Sequence, residues 1–168
     1  MILIKTTRLQ LRWMNTKDAH FVKELLNSPG WIKYIGIRNI DSIETAETYL
    51  RTKIIPNYEK FGFGFWMIER QLDMVCLGIC GLIKREGLED VDLGYALLPQ
   101  YEGQGFALEA ARASLEYVFN DLDLKRIVAI TTQDNHRSIS LLNKLGMVYE
   151  KMVTRSLFGN INASRNSA

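Results

Sequence analysis

The chain has 168 residues, of which 47% are hydrophobic and 24% are charged, and its formal net charge is +2. This composition is typical of a globular protein and excludes a disordered or fibrous chain. Because 21 basic residues are nearly balanced by 19 acidic ones, the chain lacks the field of one sign that attracts nucleic acid or an anionic membrane. Neither is an expected partner.

The length indicates one domain over residues 1–168, and the sequence predicts a cytoplasmic location. A chain of this size buries a real core without a disulfide or a structural metal. The N-terminal apolar stretch is too short for a signal peptide, and no run approaches the roughly 18 apolar residues of a membrane span.

Cys76 and Cys80 are the only cysteines, and both lie in a predicted strand. Four residues of strand separate them by roughly 13 Å, which is too far for a disulfide. Since no histidine nearby completes a ligand set, we predict two buried strand thiols rather than a metal site.

Hydrophobic periodicity predicts a mixed α/β chain whose elements alternate between the strand and helix periods. Pro29-Gly30 is predicted to stop the first helix, and Pro56 the second. The predicted elements are a strand over 9–13, helices over 16–27 and 41–56, strands over 63–69, 74–83 and 90–98, a helix over 106–119, a strand over 126–131, a helix over 135–146 and a strand over 147–158.

The junction between the strand over 90–98 and the following helix is suited to binding an anion. It contains two glycines, Gly103 and Gly105, directly before the helix predicted from residue 106. The first four N–H groups of a helix are unpaired, the helix dipole adds positive charge there, and glycine lets the backbone approach a phosphate closely. An ordinary tight turn is the alternative, because Gly-x-Gly turns are common.

Two common phosphate-binding loops do not match this junction. A Walker A loop requires Lys and Ser or Thr after its last glycine, whereas Gly105 is followed by Phe106 and Ala107. A dinucleotide-binding fingerprint requires Gly or Ala at the position of Leu108, and no early βαβ unit begins the chain.

The junction instead resembles the Gln/Arg-x-x-Gly-x-Gly/Ala motif of the GNAT superfamily of acyl-CoA N-acyltransferases. Gln100-x-x-Gly103-x-Gly105 fits the motif literally, but we prefer the register Glu102-x-x-Gly105-x-Ala107, which departs from it at the first residue. In that register the surrounding residues are similar to the branch of ribosomal-protein N-terminal acetyltransferases (RimJ/RimL-like). Glu102 is expected to point to solvent, so that backbone amides bind the phosphates.

A second motif, Asn135-x-x-Ser138 followed by Gly146, resembles the segment after the fifth strand of the same superfamily. Together the similarities cover roughly residues 7–158. They imply a GNAT fold, in which a mostly antiparallel central sheet has helices on both faces and its fourth and fifth strands splay apart. Here those strands are 90–98 and 126–131.

The resemblance also implies a binding site for acetyl-CoA between the splayed strands. The pantetheine arm would pair with the backbone near Leu97 and Leu98, and Asn135 would contact the coenzyme. The residues expected to hold its pyrophosphate are Gly103, Gln104, Gly105, Phe106 and Ala107.

The implied reaction is direct attack of a primary amine on the thioester, without a covalent enzyme intermediate. Asp92 is the candidate general base, and Ser138 is the candidate that steadies the leaving thiolate. Trp31 and Tyr34 are candidates for the wall of the substrate cleft. The sequence leaves simpler roles open for each: a solvated acidic turn for Asp92, helix capping for Ser138 and Asn135, and core packing for the aromatic residues.

The predicted function is an acetyl-CoA-dependent N-acetyltransferase, with a protein N-terminal α-amine as one acceptor and a small-molecule amine as another. The alternative is an acyl-CoA-binding regulatory module without turnover. The expected partners are acetyl-CoA and the amine acceptor, in a monomer or a homodimer. Residues 160–168 lack the apolar alternation of a last strand, so we expect a short or poorly ordered end that pairs weakly with residues 147–158.

Overall fold

The computed structural model describes residues 1–153 and the backbone of residues 161–167. Within these residues, eight strands form one sheet in the order β1-β2-β3-β4-β5-β6-β8-β7. Among the described strands, β5 and β6 pair in parallel, and the other neighbours are antiparallel. The strands are β1 Ile2–Lys5, β2 Leu9–Trp13, β3 Phe65–Arg70, β4 Cys76–Ile83, β5 Val91–Leu97, β6 Arg126–Thr131, β7 Val148–Val153 and β8 Ile161–Ser167.

Helices cover both faces of this sheet, which confirms the predicted GNAT architecture. They are α1 Ala19–Leu26, α2 Pro29–Tyr34, α3 Ile43–Tyr49, α4 Ile55–Phe61, α5 Phe106–Asp121 and α6 His136–Lys144. Trp66 and Cys80 are buried on the α5 face, where Cys80 Sγ lies 3.4 Å from Ser114 Oγ. Their strand neighbours Met67 and Ile79 point to the other face and are also buried.

Two prolines that were predicted as helix stops lie in the first turn of a helix. α1 ends at Leu26, before Pro29, as predicted. Pro29 occupies the first turn of α2, where its fixed φ favours the helix and its missing N–H needs no partner. The second predicted helix does not stop near Pro56. A π-helical turn, Leu50–Ile54, links α3 to α4, and Pro56 lies in the first turn of α4. The actual stop is Gly62, which adopts φ +75° as the cap of α4.

The prediction for the C-terminal segment was wrong. Residues 161–167 form β8, which pairs with β6 on one side and with β7 on the other. The strand forms without alternating apolar side chains, because its backbone is hydrogen-bonded along both edges. The predicted strand over 147–158 is β7, and residues 154–160 lie outside the described residues.

Three further features bear on the predictions. β1 was not predicted, so the fourth and fifth strands of the sequence are β5 and β6 of the sheet. Both cysteines are free, as predicted, and Cys80 is buried, whereas Cys76 is half-buried. Among the described residues, no helix is long and apolar enough to cross a membrane, and no cluster of three His, Cys, Asp or Glu side chains is arranged to hold a metal ion.

Candidate active site

β5 and β6 separate soon after they begin, which confirms the predicted splay. Their parallel pairing joins Val91 to Ile127 and Asp92 to Val128, and no further pair forms among the described residues. β5 nevertheless continues to Leu97 and β6 to Thr131. The separation leaves a wedge-shaped opening between the two strands, and the remaining site residues lie around it.

The backbone N–H and C=O groups that face this opening near the end of β5 belong to Leu97 rather than to Leu98. The Leu98 N–H donates to Leu77 O of β4 at 2.9 Å, and the Leu98 carbonyl accepts from Tyr101 N at 3.0 Å. In an antiparallel ladder, alternate residues point their backbone groups away from the partner strand. Leu97 therefore turns its N–H and C=O towards the opening, whereas the backbone of Leu98 already has partners.

The loop between β5 and α5 ends in an open helix N-terminus. Gly103 and Gly105 adopt φ +74° and +81°, a left-handed conformation that strains any other residue. Gly105 is the N-cap of α5 and offers no side chain to bond the first-turn N–H groups. The amides that begin with Phe106 and Ala107 are therefore available to an anion.

Arg8 and Glu109 hold this loop against the turn between β1 and β2. Arg8 Nη1 donates to Gln104 O at 3.0 Å, Arg8 Nε donates to Glu109 Oε2 at 2.6 Å, and the guanidinium lies 4.5 Å from the Phe106 ring centre. Glu109 Oε1 also accepts from Thr6 Oγ1 at 2.6 Å. No local pattern in the sequence connects these contacts, because the residues that make them lie about a hundred positions apart.

The sequence predicts that Glu102 points to solvent, but in the structure its side chain has a partner. Its carboxylate forms an ion pair with Arg137 in the first turn of α6, and its side chain is 36% exposed. The same carboxylate lies beside α2, since a Cβ built on Gly30 would be 3.7 Å from Glu102 Oε1. Glu102 thus joins three elements at the mouth of the opening.

Asn135 and Ser138 lie on the β6 side of the opening. Asn135 caps α6, because its Oδ1 accepts from Ser138 N at 3.2 Å. Ser138 Oγ lies 2.7 Å from Tyr95 Oη of β5. Tyr95 was not among the site residues predicted from the sequence.

Asp92 is the last residue of β5 that pairs with β6, and it is 1% exposed. Its Oδ2 accepts from Arg85 Nε at 2.5 Å, whereas Oδ1 has no hydrogen-bond partner among the described residues. Burial raises the pKa of Asp92 to about 6, although the neighbouring Arg85 guanidinium acts in the opposite direction. A buried carboxylate with such a pKa is unlike the solvated acidic turn considered as its alternative.

The two predicted aromatic residues of the substrate cleft have different environments. Trp31 is 4% exposed and belongs to the hydrophobic core, although its indole N–H has no partner among the described residues. Tyr34 is half-buried, and the Lys33 ammonium lies 4.7 Å from its ring centre. Tyr34 is thus the more accessible of the pair.

Curated relatives of this chain are acetyltransferases. It is 30% identical over 159 residues to the uncharacterized N-acetyltransferase YoaA of Bacillus subtilis, covering 94% of this chain and 89% of the relative. It is 32% identical over 158 residues to the spermidine N(1)-acetyltransferase of Escherichia coli, with coverage of 90% and 79%. The putative ribosomal N-acetyltransferase YdaF of Bacillus subtilis is 27% identical over 158 residues, with coverage of 90% and 84%.

Solved structures share the fold over nearly the whole chain. An acetyltransferase from Agrobacterium tumefaciens superposes with a TM-score of 0.84 at 24% identity, covering 100% of this chain and 95% of the other. The ribosomal L7/L12 α-N-protein acetyltransferase RimL, solved in complex with coenzyme A, has a TM-score of 0.75 at 16% identity, with coverage of 99% and 98%. The family model for the acetyltransferase (GNAT) domain matches residues 8–148. The chain therefore belongs to the GNAT family of acetyltransferases.

Proposed function

We propose that the protein transfers the acetyl group of acetyl-CoA to a primary amine in the cytoplasm, by direct attack in a ternary complex. The observation that carries the proposal is the opening between β5 and β6, which has an uncapped helix N-terminus on one side and Asn135 and Ser138 on the other. Acetyl-CoA combines a long amide-bearing arm with a phosphate-rich end. The opening suits the arm, and the helix N-terminus suits the phosphates.

The residues around the opening match the chemistry of the coenzyme. Backbone N–H groups of residues 103–107 would hold the pyrophosphate, since no side-chain cap competes for them. The free backbone edge at Leu97 would pair with the pantetheine amides. The Asn135 amide would contact the same arm, because its Oδ1 is used in capping but its Nδ2 is not.

Asp92 is the proposed general base and Ser138 the proposed partner of the leaving sulfur. The acceptor nitrogen bonds to the carbonyl carbon, and the electron pair of the broken carbon–sulfur bond passes to sulfur. The nitrogen proton passes to Asp92, directly or through water. A pKa of about 6 keeps the Asp92 carboxylate mostly ionised at neutral pH, as a base must be.

The ordinary pKa values of amines favour an N-terminal α-amine as the acceptor. An α-amine with a pKa near ~7.8 is substantially neutral at cell pH, whereas a lysine-like amine with a pKa near ~10.4 is mostly protonated, and this gap corresponds to about 3.5 kcal/mol. A polyamine such as spermidine, on which one relative is named to act, is the second candidate.

Tyr34 is the proposed contact for the acceptor, with Trp31 supporting it from the core. Both lie on α2, which meets the loop at Gly30 and Glu102. Lys33 and Asp134 also influence each other's pKa, so α2 lies near the segment between β6 and α6 as well. An acceptor that approached along α2 would reach the mouth of the opening.

Release of CoA, followed with a free-thiol reagent, tests the proposal. The acceptors are peptides with a free α-amine, the same peptides with the α-amine blocked and one lysine present, and spermidine. We expect the fastest release with the free α-amine. A thermal shift with acetyl-CoA runs in parallel, since a ligand at 100 times its Kd adds about 2.7 kcal/mol of stability. Binding without turnover on any amine would instead favour the regulatory module.

A further inference from the structure

Tyr95 and Ser138 form a hydrogen bond that crosses the opening between β5 and β6. Tyr95 lies three residues beyond Asp92, the last residue of β5 that pairs with β6, and Ser138 lies in the first turn of α6. The distance between Tyr95 Oη and Ser138 Oγ is 2.7 Å. The two strands have already separated at this level, so this pair of hydroxyl groups connects the two walls where their backbones do not.

Either hydroxyl group could donate in this hydrogen bond, and we assign the phenol as the donor. A tyrosine hydroxyl is much more acidic than a serine hydroxyl, and burial raises the pKa of Tyr95 further, so its proton stays in place at neutral pH. The Ser138 carbonyl is the other acceptor within reach of Tyr95 Oη, and it lies farther away at 3.4 Å. Ser138 Oγ therefore accepts from Tyr95 and keeps its own hydrogen for another partner.

A second serine shows the bond that a helical hydroxyl group ordinarily makes. Ser114, in the middle of α5, donates to the carbonyl of Ala110 one turn earlier at 2.7 Å. This local bond is the usual partner of a helical serine. Within the described residues, Ser138 makes no such bond, and Tyr95 is the side chain that contacts its hydroxyl.

We propose that Tyr95 is a positioning residue, which donates to Ser138 Oγ and so directs the Ser138 hydroxyl hydrogen towards the sulfur of acetyl-CoA. This inference rests on the proposed function. When the carbon–sulfur bond breaks and its electron pair passes to sulfur, the Ser138 hydroxyl donates a hydrogen bond to the thiolate. Neither Tyr95 nor Ser138 gives up a proton, because the amine proton goes to Asp92.

The position of Asp92 agrees with this division of roles. Successive residues of a strand point to opposite faces, so Asp92 and Tyr95, three positions apart, lie on different faces of β5. They are still close enough for the Asp92 charge to raise the pKa of Tyr95. A proton acceptor on one face and a hydroxyl pair on the other match a reaction in which the amine arrives and the thiolate leaves on different sides.

A double-mutant cycle on Tyr95→Phe and Ser138→Ala tests the inference, with kcat, KM and the acetyl-CoA Kd measured for each protein. We expect Tyr95→Phe to lower kcat by about tenfold, the size of one hydrogen bond, and to leave the Kd within about twofold. In the Ser138→Ala background the same change should alter kcat by less than about twofold, because the phenol then has no hydroxyl to direct. Ser138→Thr, which retains a hydroxyl, should keep most of the rate.

Tyr117→Phe is the matched control, since it removes a phenolic hydroxyl on the α5 face, where the Tyr117 ring packs edge-on against Trp66. It should leave kcat unchanged. Three outcomes would each overturn the inference. The first is that Tyr95→Phe lowers kcat by the same factor in the wild type and in Ser138→Ala, and the second is that Ser138→Ala keeps the wild-type kcat. The third is that Tyr95→Phe weakens acetyl-CoA binding and leaves kcat unchanged. All three outcomes leave wild-type turnover intact, whereas failure of the proposed function would appear as no CoA release by the wild type.

Discussion

The carboxylate of Glu102 and the guanidinium of Arg137 form an ion pair between the loop before α5 and the first turn of α6. These two segments form the opposite sides of the mouth of the site. The arginine is 80% exposed and the glutamate 36%, so the pair is of the exposed kind whose net contribution to stability is small. Its effect on a coenzyme that carries several negative charges should be larger.

Glu102→Gln is expected to tighten acetyl-CoA binding by about three- to tenfold at low salt. The change removes a negative charge beside the phosphate-binding amides and releases Arg137 to interact with a phosphate. The gain should shrink as ionic strength rises, because exposed charges are screened. Isothermal titration at two salt concentrations measures it. The control is Glu47→Gln, which removes the exposed pair between Glu47 of α3 and Arg51 of the following π-helical turn. Weaker binding by Glu102→Gln would contradict the expectation.

Gly105→Ala is expected to lower acetyl-CoA affinity by at least about tenfold, whereas Gly62→Ala leaves it unchanged. Gly105 has φ +81° and Gly62 has φ +75°, so the two substitutions should each lower the free energy of unfolding by about 1–2 kcal/mol. Only Gly105 begins the helix that presents its amides to the phosphates, and its new Cβ would lie 3.4 Å from Arg8 Nη2. Equal affinities of the two variants, measured by calorimetry beside their melting temperatures, would remove the loop from the binding site.

Asp92→Asn is expected to slow acetyl transfer by ~10²–10⁴-fold while the acetyl-CoA Kd changes little. The wild-type rate should fall with acid around pH 6, where the carboxylate takes up a proton. The variant should lack this limb and recover partly at high pH, because free amine then forms without a base. Asp90→Asn, in the same acidic run and paired with Arg126 at 3.0 Å, is the control. Identical pH–rate profiles for Asp92→Asn and wild type would exclude the role.

The same carboxyl group gives folding stability a predictable dependence on pH. Burial raises the pKa of Asp92 from 3.8 to about 6, so between these values the native state binds more protons than the unfolded state. The free energy of unfolding should therefore fall as pH rises through this window and level off above it. Relative to Asp92→Asn, the wild type should lose at most roughly 3 kcal/mol between pH 4 and 7. Urea titrations at four pH values measure the difference; a relative gain would mean that Arg85 outweighs burial.

The loop was predictable from sequence because its requirement is local. A helix N-terminus suited to an anion has glycines in the turn just before it. Gly103 and Gly105 adopt positive φ values, which explains why glycine occupies these two positions. Asp92 was predicted through the resemblance to the family. Its burial and its pairing with Arg85 became visible only when the hairpin between β4 and β5 was in place.

The relationships missed by sequence analysis join distant residues or depend on context. The hydrogen bond between Tyr95 and Ser138 spans 43 residues, and no periodicity connects two such positions. Proline breaks most helices, so the sequence predicts a stop at Pro56, whereas Pro56 lies in the first turn of α4 directly after a π-helical turn. β8 was missed because its side chains do not alternate, although both its edges are paired.

The position of β8 between β6 and β7 also constrains how the chain can fold during synthesis. β7 leaves the ribosome before β8, yet β8 is the strand to which β7 pairs, and β8 also covers the outer edge of β6. Until Ile161–Ser167 has been made, β7 has no neighbour, and β6 presents an unpaired edge to other nascent chains. One wall of the proposed coenzyme site is thus completed late in translation, and this interval is when a chaperone would be most useful.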